Sequence, residues 1–204
     1  PLLKERTRRY FGHDGVNFSE TSQMWGLNRR QDFGMGKENP DVYSKCPYTR
    51  YYWDGGLEMS TMLLAYYLNT QDEAFVKETL LPIADQVVIF YDQHYKRNQD
   101  GKLHISPSQV LETWHTAEDP ITVLAGLRTV LGGLLKLPDS LTTAEQRARW
   151  QRFLGEVKEL PIAEEAGKKW LNPAHVFSDR KNCENPTLYA VFPYPIYGVG
   201  KPDL

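Results

Sequence analysis

The stretch Asp119-Pro120-Ile121-Thr122-Val123-Leu124-Ala125-Gly126-Leu127-Arg128-Thr129-Val130-Leu131-Gly132-Gly133-Leu134-Leu135 decides the fold class. Leu124, Leu127, Val130, Leu131, Leu134 and Leu135 recur at the spacing of one helix face. Asp119-Pro120 has the chemistry of a helix start, an N-cap carboxylate followed by a proline at the first helical position. Pro138 ends the run, because proline lacks the backbone donor that a helix interior needs. Beyond it, Thr142 and Glu145 have capping-box spacing, and Trp150, Phe153, Leu154 and Val157 form an apolar face. Upstream, Leu57, Met62, Leu63, Tyr66 and Tyr67 share a face of a helix ending near Asn69. Thr70 with Glu73 opens another helix, which Pro82 interrupts. A fresh helix starts there, with a stripe of Ile83, Ala84, Val87, Val88 and Tyr91.

The rest is punctuation. Asn98-Gln99-Asp100-Gly101 reads as a turn, Leu103–Ser106 as a short extended piece, and Pro107–His115 as a loop. Residues 1–55 and the tail from Pro161 are rich in Gly, Asn, Pro and aromatics and read as long irregular loops. No strand ladder and no internal repeat stands out. The expected class is mainly α, helical hairpins separated by long loops.

With 204 residues, the chain suits one domain spanning 1–204, or a fragment of one. Its start at Pro1 and its stop after an aromatic, proline-rich stretch read as cuts from a longer protein. A mean hydropathy of −0.54, with no long apolar run, argues against a membrane span. A net charge of −2 leaves no basic footprint for nucleic acid. Cys46 and Cys183 are either one bridge or two thiols, and no zinc-type spacing accompanies them. There is no GxGxxG, P-loop, GxSxG or HExxH, so no cofactor and no metal is expected. Convergence of His13, Asp14 and Glu20 on a metal is the weaker alternative to reading His13-Asp14-Gly15 as a turn.

What remains is carboxylates among aromatics, in two clusters. The first is Arg50-Tyr51-Tyr52-Trp53-Asp54-Gly55-Gly56-Leu57-Glu58. Asp54 either caps the helix that follows or lines a pocket with Glu58, where Trp53 offers a flat face to a sugar. The second runs from Ser106 to His115 and holds Glu112 between Val110, Leu111 and Trp114. Apolar packing raises a carboxyl pKa, as a general acid near neutral pH requires; the competing reading is a surface glutamate. His115 stands out among the five histidines by its place beside Glu112.

At these clusters the chain resembles the six-hairpin glycosidases, whose catalytic domain is an (α/α)6 toroid. More narrowly, it resembles the fucosidase-like branch, glycoside hydrolase family 95, and a related set of large bacterial proteins. Tyr10–Gly26, Tyr51–Tyr67, His104–Trp114 and Asn185–Asp203 carry the likeness. It implies a partial toroid, with a carbohydrate as partner and the remainder of a parent chain or an oligomer partner covering exposed helix faces. It also implies an inverting mechanism and a periplasmic or secreted setting. Glu112, after Ser106-Pro107-Ser108, matches the family's general acid. Asp54 and Gly56 stand where the family has asparagines that hold the catalytic water, a departure that leaves Asp54 to act as base itself. Trp53, Trp114 and Tyr52 then form a sugar platform, with Arg50, Glu58 and His115 as further binding groups. Two other readings stay open: a glycan-binding or scaffolding domain without catalysis, and a polysaccharide lyase using Tyr51, Tyr52 or His115 as base.

Overall fold

A computed structural model describes residues 1–20, 43, 46–201 and 204. Helix α1 (Leu2–Phe11) stops at Gly12, whose φ of 73° turns the chain and whose N–H donates to Arg8 O. Helix α2 (Gly55–Thr70) lies where the periodicity places it but buries a different face. Its buried residues are Gly56, Leu57, Ser60, Leu64 and Tyr67, while Met62 and Tyr66 stand 69% and 48% exposed. Small residues mark where neighbours come close, a criterion that hydrophobicity alone does not weigh.

Gln71, at φ 56°, ends α2. Asp72 then caps α3 (Glu73–Phe75) by accepting the Phe75 N–H at 3.0 Å. The expected Thr70–Glu73 box is absent, because the Thr70 hydroxyl donates back to Tyr66 O. A π-helical turn, Val76–Leu80, joins α3 to α4 (Leu81–His94), which carries Pro82 in its first turn. The Leu81 N–H reaches back to Val76 O, and that widened turn lets the helical path continue through a residue with no N–H. Ala84, Val87, Val88 and Tyr91 face the core, as their spacing predicts.

The expectation of a mainly α array of toroid-type hairpins is overturned here. The structure is 47% helical and 13% strand, with antiparallel sheets, a mixed α/β arrangement. The segment read as a loop forms strand β1 (Ser108–Val110), a tight turn, and strand β2 (Trp114–Pro120). Helix α5 (Ile121–Leu135) and helix α6 (Ala144–Glu156) follow. A hairpin, β3 (Ile162–Glu165) and β4 (Lys168–Leu171), turns at Ala166 and Gly167, both at positive φ. Strand β5 (Ala174–Phe177) adds to β2, giving the order β1-β2-β5. These strands run three to seven residues and mix charged residues and proline with apolar ones, too short to display alternation.

Asp119 does not cap α5. Its φ is 53°, and its carboxylate accepts the Ile105 N–H at 2.7 Å and binds Lys158 Nζ at 2.6 Å. The helix instead starts after Pro120, with the Ile121 N–H donated to Pro173 O. The α6 capping box is one residue later than expected, between Thr143 and Gln146.

Helices α2 and α5 pack closely. A Cβ on Gly126 would lie 2.9 Å from Leu57 Cδ1, and one on Gly133 would lie 2.6 Å from Leu64 Cδ1. Both contacts have the same sequence offset, so the two helices run parallel and in step. Trp150 and Phe153 of α6 complete the core, and Asp85 of α4 accepts both the Trp150 indole N–H and the Arg149 guanidinium.

Candidate functional site

The β1-β2 hairpin turns over Leu111, Glu112 and Thr113, with Leu111 at φ 49°. That turn puts Glu112 at the tip. The chain after β5 runs back alongside, with the Ser178 N–H donated to Thr116 O and the Lys181 N–H to Thr113 O. It thereby brings Glu184 under the turn. Glu184 Oε2 accepts the Glu112 N–H and the hydroxyl of buried Thr113, each at 2.8 Å. Asn182 Nδ2 donates to Glu112 Oε2 at 3.5 Å. Arg180 stiffens this stretch by donating to the carbonyls of Asn182 and Cys183 at 2.9 and 3.0 Å.

A third carboxylate joins from the N-terminal side. The Glu20 N–H donates to Tyr52 O at 2.9 Å. The Glu20 carboxyl is pushed above its ordinary value, first by desolvation, then by the negative charges of Glu112 and Glu184. Three carboxyl groups from residues 20, 112 and 184 therefore lie within electrostatic reach of one another.

Gln109 ties this hairpin to the chain ahead of α2. Its side-chain amide donates to Tyr48 O and Leu111 O, and its Oε1 accepts the Tyr51 N–H, each at 2.6 Å. Tyr48 meets the His115 ring edge-on at 4.5 Å between centroids, and His115 Nε2 lies 3.2 Å from Glu112 O. Trp114 is half-buried, edge-on to Phe177, with Arg180 over its ring at 5.9 Å. Arg50 is exposed on the 48–51 segment that Gln109 holds.

The other sequence-predicted carboxylate sits apart. Asp54 is 2% exposed and makes no side-chain cap to α2, and its Oδ2 has no hydrogen-bond partner. Burial pushes its carboxyl up to about 7; the nearby Thr122 hydroxyl opposes this and the Glu58 charge adds to it. Glu58 is half-buried beside Tyr189, which also meets Tyr52. Burial raises Tyr52 and Tyr189 too. Asp54 thus keeps company with Glu58, Tyr52 and Tyr189, while Glu112 keeps company with Glu20 and Glu184. The expected Asp54–Glu112 pairing gives way to this division, because burial shuts Asp54 inside the fold.

Trp53 is corrected as well. It is 3% exposed, with Phe11, Phe90 and His94 packed around its ring at centroid distances of 5.2–5.7 Å, so it offers no open face to a sugar. The metal alternative dissolves: His13 contacts His94, Asp14 pairs with Arg8, and Glu20 joins the carboxylates. Among the described residues no group of three metal-ligating side chains converges. Cys46 and Cys183 are not joined in a disulfide. Among the described residues no helix is long and apolar enough to cross a membrane.

Reading the sequence alone does not reach Glu20, Glu184, Asn182 or Gln109 as parts of one site. Glu20, Asn182 and Glu184 are single polar residues outside helices and strands, Gln109 sits in β1, and only the hairpin and the chain after it join them. No family model matches the chain, and no curated protein matches it.

Proposed function

We propose that the chain carries a glycoside-hydrolysing site built on Glu20, Glu112 and Glu184. The observation that supports this reading is the mutual approach of the three carboxyls, with Glu20 raised by burial and by the other two charges. A carboxyl that faces two negative charges retains a proton that a lone one gives up. Acid–base cleavage of a glycosidic bond needs that combination, one carboxyl to protonate the leaving oxygen and one carboxylate to draw a proton from water. Glu20, the carboxyl that is pushed up, takes the donor role, the reverse of what the family resemblance implies. Glu112, half-buried at the tip of the turn, is the base. Glu184 holds the turn that aims Glu112. Trp114 and His115 flank the tip and offer ring faces and edges to a carbohydrate.

The test uses Glu112→Gln and Glu20→Gln against a panel of oligosaccharides and of glycosyl fluorides. Glu20→Gln is expected to abolish cleavage of oligosaccharides while sparing the fluorides, whose leaving group needs no proton. Glu112→Gln is expected to lose both. Proton NMR of the first product reads the anomeric outcome, for which inversion is expected. Saccharide binding with no cleavage by the unaltered protein supports a glycan-binding domain and overturns the hydrolase reading. An unsaturated product absorbing near the ultraviolet would instead indicate a lyase.

A further inference from the structure

The segment from Gly12 to Glu20 crosses the C-terminal half of α4 and delivers Glu20 to the carboxylate set. It is fastened at successive points. Asp14 N–H donates to Gln93 Oε1, Val16 N–H to Gln86 O, and Glu20 N–H to Tyr52 O, each at 2.9 Å. Gly15 lies so close to α4 that a Cβ there would stand 2.3 Å from Phe90 N, so the segment is seated with no slack.

The first fastening is between two imidazoles. His13 Nε2 lies 2.9 Å from His94 Nδ1, and His13 Nδ1 lies 2.7 Å from Asp14 O. A carbonyl only accepts, so His13 Nδ1 carries the hydrogen of the neutral ring. Its Nε2 is then bare and accepts from His94 Nδ1–H. The His94 ring stacks on Phe90 at 4.8 Å and meets Phe11, Trp53 and Tyr95 edge-on at 4.8–5.2 Å.

We propose that His13 and His94 form an acid-released latch that holds residues 12–20, and Glu20 with them, against α4. One added proton is tolerated, because an imidazolium N–H still points at a bare ring nitrogen. A second places two N–H donors face to face at a distance made for one hydrogen bond, and only separation relieves it. Burial, with the His13 charge, lowers His94 to about 4, so release belongs to acid conditions. The other titratable and charged groups around the pair do not replace this role. From α1 Arg8 faces Asp14 and pairs with it at 2.6 Å. Tyr95, after α4, and Tyr43, beside Phe11 and Trp53, are pushed up by burial and remain neutral in acid. Asp92 of α4 is engaged by Arg97 and Arg152.

The latch does not rest on the hydrolase reading, and its test needs no substrate. Amide hydrogen exchange, corrected for the intrinsic rate, is followed from pH 7 to pH 4 in the unaltered chain, in His13→Gln and in His94→Phe. In the unaltered chain, exchange at residues 13–17 is expected to rise about tenfold on acidification while α5 stays protected. His13→Gln keeps a hydrogen-bonding group without a second titrating ring and is expected to rise clearly less, since only the burial of His94 then resists its proton. His94→Phe keeps the stacking and loses the bond, so it is expected to loosen 13–17 already at pH 7. Unchanged protection in His94→Phe at pH 7 overturns the proposal, even if acid unfolds the whole chain. An equal rise in His13→Gln overturns it too.

Discussion

Leu64 of α2 rests on Gly133 of α5, and seven residues earlier in each helix Leu57 rests on Gly126. The two pairs set the spacing of the central helices. At Gly126 a Cβ would also lie 2.9 Å from Tyr194 Cζ, so the position is closed from two sides. Gly132, next door to Gly133, has nothing within 4 Å of the same point.

Alanine at these two glycines is therefore expected to act with opposite sign. Gly132→Ala gains helix propensity with no collision, about 1 kcal/mol of added stability. Gly126→Ala gains the same propensity but forces Leu57 and Tyr194 apart inside a filled core, where overpacking costs about 1–3 kcal/mol. A net loss is expected. Urea unfolding of the two variants reads both signs, and a stabilised Gly126→Ala would refute the close packing of α2 on α5.

Asp54 makes stability depend on pH. Its carboxyl goes from an ordinary 3.8 to about 7 on burial, so the folded chain keeps a proton that the unfolded chain releases. Between those values the folded state binds more protons, and stability falls as pH rises; above about 7 the loss is complete and levels off. The full effect is on the order of 4 kcal/mol, from about 1.4 kcal/mol for each unit of pKa. Asp54→Asn carries no charge to bury. Its stability relative to the unaltered chain is expected to climb from pH 4 to pH 7 and then hold steady. A pH-independent difference between the two unfolding curves would show that Asp54 is not buried as a carboxyl.

Helices α4, α5 and α6 are legible because each satisfies its own periodicity, whereas α1 falls in the stretch that reads as loop and α2 buries a face other than the one its periodicity marks. Ala84, Val87, Val88 and Tyr91 announce the buried face of α4, as Trp150, Phe153 and Val157 do for α6. Their start points were less so. The α6 box uses Thr143 and Gln146 although Thr142 and Glu145 offer the same spacing one residue earlier, and only the backbone path chooses between them. Asp119 has the sequence of a cap but is drawn away by Ile105 and Lys158, partners from distant parts of the chain. The strands were hidden because a three-residue ladder such as Ser108–Val110 carries no period. The candidate site was half legible. Glu112 stands out locally by its aromatic neighbours, whereas Glu184 and Glu20 matter only through hydrogen bonds to Glu112 N and Tyr52 O. Asp54 stands out in the sequence by its place at a helix start, and its burial follows from packing that no local pattern encodes.

The carboxylate set makes a prediction that needs no knowledge of the substrate. Glu20 is raised by desolvation first, then by Glu112, then by Glu184. Desolvation stays when a neighbour is neutralised, so neither variant is expected to return Glu20 fully to its ordinary value. Glu112→Gln removes the charge that acts more strongly on Glu20 and is expected to lower the Glu20 pKa more than Glu184→Gln does. Glu184→Gln has a second consequence, since Glu184 Oε2 also accepts the Glu112 N–H and the Thr113 hydroxyl. A neutral amide oxygen is a weaker acceptor than a carboxylate. That variant is therefore expected to loosen the turn at 111–113 as well as to shift Glu20. Carbon NMR of selectively labelled glutamate carboxyls reads the titration, and amide exchange at Glu112 reads the turn. A Glu20 titration untouched by both variants would mean that the three groups do not face one another, and the proposed acid–base set would fall with it.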